Sequence, residues 1–150
     1  MNGKKQLFFA GPDGILYAFE ALATADSFGK VQSFKKVWQF DCDPTGPKEN
    51  IHDYLRNRKV SPSNFLGMPV FYKNRIYVTV GGDIWWGKRE AYLKCIDASK
   101  TGNITATGEI CSYSLVEHSS STTAISTGFV YVIDCGMHLH CNATEIGKHD

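Results

Sequence analysis

Short runs of β-branched and aromatic residues, punctuated by glycine, recur along this chain at the two-residue period of a half-buried strand. Leu7-Phe8-Phe9-Ala10 runs through Gly11 and Gly14 into Ile15-Leu16-Tyr17-Ala18-Phe19. Arg75-Ile76-Tyr77-Val78-Thr79-Val80 meets Gly81-Gly82 and resumes as Ala91-Tyr92-Leu93-Lys94-Cys95-Ile96. Phe129-Val130-Tyr131-Val132-Ile133 turns near Gly136 into His138-Leu139-His140-Cys141. Such residues pack well on a pleated surface, and glycine supplies the turn conformations, so each run predicts a hairpin. Outer strands are predicted at Lys36-Val37-Trp38-Gln39-Phe40 and 109–115, and opening strands at 69–72 and 122–125. No stretch sustains helical periodicity over three turns, so the expected fold is all-β.

The hairpins also end alike, with Glu20-Ala21 after the first, Asp97-Ala98-Ser99-Lys100-Thr101-Gly102 after the second and the degraded Asn142 to Lys148 after the third. With Leu16, Leu93 and Leu139 taken as equivalent, the intervals are 77 and 46 residues. The shorter matches a four-stranded propeller blade of about 40–50 residues. The longer is explained by an insertion over 42–66, rich in proline, serine and clustered charge, and a smaller insertion covers 83–90. The expected organisation is an incomplete β-propeller with four-stranded antiparallel blades: 1–41 a blade lacking its first strand, 67–117 a full blade, 118–150 an incomplete one. Four periods of 46 exceed 150 residues, so one copy is not expected to close a ring. Other blades, self-association or a partner chain would complete it.

Composition narrows the function classes. Hydrophobic residues at 43% support a packed core. Sixteen Lys and Arg against 15 Asp and Glu leave a formal charge of +1, without the basic face of a nucleic-acid binder; only Arg56 to Lys59 is locally basic. No apolar run approaches a membrane span, and the apolar run at Leu7–Ala10 is too short for a secretion signal, so no targeting segment is expected. Five cysteines leave at least one unpaired within a monomer, and none forms the CxxC spacing of structural zinc. Cys95 and Cys141 read as buried core cysteines.

Certain residues carry a family resemblance. Ile76-Tyr77-Val78 with Leu93 to Gly102, Val130-Tyr131-Val132 with Leu139 to Lys148, and Asp13-Gly14-Ile15-Leu16-Tyr17-Ala18 with Val37-Trp38 resemble the repeat of propellers related to pyrroloquinoline-quinone (PQQ) enzymes. Asn57 to Ser63, Met68 to Tyr72 and Gly81 to Lys88 look like a bacterial group of PQQ-binding-like repeat proteins. The resemblance implies a quinoprotein-type propeller, PQQ with calcium as the possible cofactor, and a periplasmic or secreted location. It also implies a tryptophan on each outer strand that docks against the next blade; Trp38 fits, while Cys111 holds the matching place in the second unit and Ala143 stands where the third turn expects an acid. The adjacent cysteines of the catalytic PQQ dehydrogenases are missing, and their calcium-binding acid and catalytic aspartate have no counterpart that can be assigned.

The candidate chemistry lies on loops. Asp83, Trp85 and Trp86 form a candidate ligand loop, able to stack on a sugar or aromatic ring, with cover for a blade edge as the competing reading. Asp134, like Asp83, follows an inner apolar strand and is a candidate mouth-lining acid; a turn-stabilising aspartate is the plainer reading. His138 and His140, two apart on a predicted strand, are candidate metal ligands without an assignable third. His118 to Ser121 reads as a polar loop between blades, with no triad around it. Trp38, Gly81 and Gly82 are assigned structural roles. The leading expectation is a non-catalytic binding or scaffolding segment. The alternatives are a fragment of a PQQ- and calcium-dependent dehydrogenase with its active groups in other blades, and a carbohydrate binder acting through Trp85 and Trp86.

Overall fold

The computed structural model describes residues 5–22, 31–56, 59–82 and 90–145. Their regular structure is β apart from one short 3-10 turn at Ile51–Arg56. The first sheet is built from β1 (Gln6–Ala10), β2 (Ile15–Glu20), β3 (Lys36–Asp41) and β7 (Gly102–Asn103). The middle sheet takes β4 (Val70–Tyr72), β5 (Arg75–Gly81), β6 (Ala91–Asp97) and β8 (Glu109–Ser114). The third orders β11 (Leu139–Ala143), β10 (Phe129–Ile133) and β9 (Ala124–Ser126). Pairing is antiparallel except where β7 lies parallel to β3. None of the sheets closes on itself.

The three hairpins share one register. Phe8 faces Ala18, Tyr77 faces Cys95 and Tyr131 faces Cys141. Two positions further along, Ala10 faces Leu16, Thr79 faces Leu93 and Ile133 faces Leu139. The equivalence extends past the strands: the N–H groups of Ala21, Ala98 and Thr144 donate to the carbonyls of Lys5, Asn74 and Gly128 at 3.0, 3.0 and 2.8 Å. It also reaches the outer strand, where Ala18 pairs with Trp38 as Cys95 pairs with Cys111. Lys73-Asn74 and Thr127-Gly128 both have positive φ at each residue, the two-residue hairpin turn that matches strand twist.

Because side chains alternate across a strand, each sheet has two faces to cover. Leu16, Ala18, Trp38 and Phe40 of the first sheet pack against Ile76, Val78, Val80 and Ile96 of the middle one. The opposite face of the middle sheet, with Tyr77, Leu93 and Cys95, packs against Val130 and Val132 of the third. The middle sheet is therefore buried on both sides. On the outer face of the first sheet Leu7 and Phe9 are exposed, and on that of the third Phe129, Ile133 and Leu139 are exposed.

The strand β7 has no sequence signal of its own. It lies beyond the turn that follows β6, where Asp97 Oδ1 accepts the Ser99 N–H at 2.9 Å and its hydroxyl at 2.6 Å. Gly102, at φ +81°, redirects the chain onto the edge of the first sheet, opposite Trp38. The Ile104 N–H then donates to the Gln39 carbonyl at 3.0 Å. Trp38, fully buried, lies in one cluster with Ala98 and Ile104. The indole thus docks against the unit that follows it.

Two sequence expectations need correction. Cys141 is exposed rather than buried, because its face of the third sheet has no covering sheet among the described residues. Gly81 is a strand residue, not a turn: it pairs with Ala91 and makes a two-way backbone bridge with Asn64. A Cβ on Gly81 would fall 2.8 Å from that of Ala91, so only glycine permits this approach. Gly82 continues the pairing, donating its N–H to the Glu90 carbonyl at 3.2 Å.

The 42–66 segment is tied down at its base by one lysine. The Lys48 ammonium donates to the Asp13 carbonyl at 2.9 Å, Asp41 Oδ1 at 2.9 Å and the Asp43 carbonyl at 2.7 Å, matching its three protons to three acceptors. Asp43 Oδ2 accepts the Ser63 N–H at 2.9 Å from the far end of the segment.

Trp38→Ala is expected to lower unfolding free energy by about 3–5 kcal/mol, the usual cost of emptying a large buried aromatic site, read from urea denaturation. Lys48→Met should cost about 1–3 kcal/mol through orphaned acceptors and a lost charged hydrogen bond, with protease cleavage within 42–66 accelerated.

Candidate functional site

Of the acids singled out from the sequence, Asp134 has the most developed surroundings. The inner strand β10 ends at Ile133, and the chain then reverses through Cys135, Gly136 and Met137, the last at φ +65°. That reversal brings the His138 N–H to Asp134 Oδ1 at 3.0 Å and His138 Nδ1 to Oδ1 and Oδ2 at 3.0 and 3.1 Å. His140 Nε2 reaches Oδ2 at 2.9 Å, and the Glu117 N–H donates to Oδ2 at 3.2 Å. The two histidines therefore meet a carboxylate between them, one from the turn and one from β11.

The electrostatics follow from this donor set. Burial alone pushes the Asp134 carboxyl up, but the hydrogen bonds from His140, from the His138 N–H and ring and from Glu117 outweigh it and hold the group well below the usual carboxylate range. Asp134 is thus an anion with its acceptor sites occupied. The His140 ring, buried, stands edge-on to Tyr113 at 5.7 Å between centroids. The His138 side chain is 52% exposed.

The neighbouring serines are used structurally. The Ser119 and Ser121 hydroxyls donate to the Ile133 carbonyl at 2.7 and 2.9 Å, and the Ser121 hydroxyl accepts the Ile133 N–H at 3.1 Å. The Cys135 N–H donates to the His118 carbonyl at 2.7 Å. His118 to Ser121 thus continues the third sheet beyond β10 with side chains standing in for a strand.

Asp83, Trp85 and Trp86 lie outside the described residues. Trp38, Gly81 and Gly82 are remote from Asp134 in the pairing scheme, in the first and middle sheets. Sequence reasoning missed a second polar locus, a cavity of about 180 Å³ lined by Tyr72, Lys73, Arg75, Tyr77, Thr144 and Glu145. There Arg75 and the Tyr77 hydroxyl both donate to the Thr144 carbonyl, the latter at 2.9 Å, and clasp the middle sheet to the third. This clasp had no sequence signal, because a backbone acceptor such as the Thr144 carbonyl has no sequence signature.

Among the described residues, no group of three or more His, Cys, Asp or Glu side chains is arranged to hold a metal ion. Asp134 also fits poorly as a calcium ligand of a quinone site, since its oxygens are already taken by N–H donors. No helix among the described residues is long and apolar enough to cross a membrane. No family model matches the chain, and no curated protein matches it.

Asp134→Asn should destabilise the protein more than His138→Ala, because the first change disturbs every bond at the node and the second removes a half-exposed ring. The carboxylate's native pKa lies below its unfolded value. Its contribution is therefore complete above the unfolded carboxylate range and fades as pH falls from there towards the native value. Urea midpoints of the wild type and Asp134→Asn across acidic pH check both the order and the sign.

Proposed function

We propose that this chain is a non-catalytic binding and scaffolding segment of a PQQ-like β-propeller, its three sheets serving as successive blades. The observation that carries this reading is the common hairpin register combined with unequal burial of equivalent faces. Leu16 faces the middle sheet, Leu93 faces the third, and the equivalent Leu139 is 66% exposed. The third sheet thus offers outward the side that its two predecessors use to receive a neighbour. The first sheet offers Leu7 and Phe9, equivalents of Ile76 and Val78, which are buried in the middle sheet.

The occupant we assign is a second copy of this chain, the outer face of its first sheet resting on the outer face of the third. This is a head-to-tail contact, which repeats until a ring closes. Apolar faces of this kind gain free energy on burial at about 25 cal/mol per Å². Support for a non-catalytic role comes from Asp134, Ser119 and Ser121, whose polar groups are spent on internal bonds.

Sedimentation tests the assignment. The chain is expected to associate with rising concentration, and Phe9→Glu or Leu139→Glu to return it to monomer with its β-sheet circular dichroism intact. A wild type that stays monomeric at about 100 μM, far above the Kd of a specific interface, overturns the self-association. Added PQQ with calcium should give neither bound-cofactor absorbance nor dye reduction with alcohols or sugars. Activity in that assay would overturn the non-catalytic reading.

A further inference from the structure

The outer strand of the middle sheet carries a different chemistry from its equivalent in the first. In the first sheet Ala18 pairs with Trp38, and the buried indole fills the space beside the small residue. In the middle sheet the same pair is Cys95 and Cys111, direct partners across β6 and β8. The Leu115 N–H donates to the Ala91 carbonyl at 2.9 Å, and the two-residue alternation carries this hydrogen-bonded class along β6 to Cys95. Such partners have Cα atoms about 5.5 Å apart, within the Cα range of a disulfide, and their Cβ atoms must draw together for the bond to form.

As direct cross-strand partners, the two thiols lie on the same face of the sheet. Cys95 is 1% exposed, whereas Cys111 is partly open to solvent. The Cys95 thiol, opposed by burial and helped by the nearby Arg75 guanidinium, brings the Cys111 thiol down to about 7, while Cys95 is pushed up. One sulfur is thus the accessible nucleophile and the other its shielded neighbour.

We infer that Cys95 and Cys111 form an oxidisable dithiol site whose substrate is a hydroperoxide and whose product is a cross-strand disulfide. The Cys111 thiolate attacks the peroxide; an S–O bond forms as the O–O bond breaks, and the departing alkoxide or hydroxide takes up a proton. Cys95 sulfur then attacks the Cys111 sulfenic sulfur. The S–S bond forms as the S–O bond breaks, and the Cys95 proton leaves with the hydroxide as water. Two thiols lose two electrons and two protons in total, and the peroxide is reduced to an alcohol and water, or to two waters. The disulfide then joins β8 to the core covalently, where Trp38 holds the equivalent strand by packing.

The test treats the purified, reduced chain with hydrogen peroxide and maps its peptides without reductant. The Cys95–Cys111 linked peptide is expected to be about tenfold more abundant than any other intramolecular cysteine pairing. In Cys95→Ser the resolving sulfur is gone, and Cys111 should be captured by dimedone as a sulfenic acid. Cys111→Ser should leave Cys95 a free thiol. The wild-type map needs no variant to fold: free Cys95 and Cys111 alongside oxidised Cys135 and Cys141 would falsify the proposal, as would a dominant linkage elsewhere.

Discussion

The constraint on which this architecture depends is the two-sided burial of the middle sheet. A sheet with one solvated face can stand on a single core, but β5 reads Ile76-Tyr77-Val78-Thr79-Val80 with every residue buried. Alternation sends Ile76, Val78 and Val80 to one neighbour and Tyr77 to the other. Neither core forms without the sheet between them, and removing either outer sheet strips one of its faces. Short connections reinforce this, because β4 and β5 are held by a two-residue turn and β9 and β10 by another of the same hand. Stability therefore resides in contacts between units more than within them.

The polar features act as seams of the same construction. Lys48 ties the long segment to the first hairpin turn, Arg75 and Tyr77 hold the end of the third hairpin, and Asp134 gathers the turn that closes it. Each uses a side chain to satisfy backbone groups where the ladder stops, as buried polar groups require. The Asp134 node differs in drawing on two imidazoles, one buried and one open to water. A carboxylate so bonded orders the turn around it.

Most strands were legible because their evidence is local. Leu7 to Ala10, Ile15 to Phe19 and Phe129 to Ile133 alternate or cluster apolar residues between glycine turns, and the strands begin and end within a residue or so of those runs. The exchange of Trp38 for Cys111 was also readable from alignment of the units, and the pairing places both at one register. Other features depend on partners distant in the chain. The two residues of β7 have no alternation to detect, and their strand exists only because Trp38 and Gln39 offer an edge. The lysine tripod at Lys48 rests largely on carbonyl oxygens, which every residue possesses. His138 and His140 were recognised as a pair, but their meeting on Asp134 needed the left-handed backbone at Met137, where glycine is the usual marker.

The parallel pairing of β7 with β3 has a consequence for synthesis. The edge of the first sheet is finished by Gly102 and Asn103, which follow the whole central hairpin of the middle one. As the chain leaves the ribosome, the first sheet must wait, open along one side, until the middle hairpin has been translated. Construction is thus staggered, with the residues after the middle hairpin locking the first sheet, and a chain halted short of Gly102 exposes an unsealed seam to chaperones and proteases.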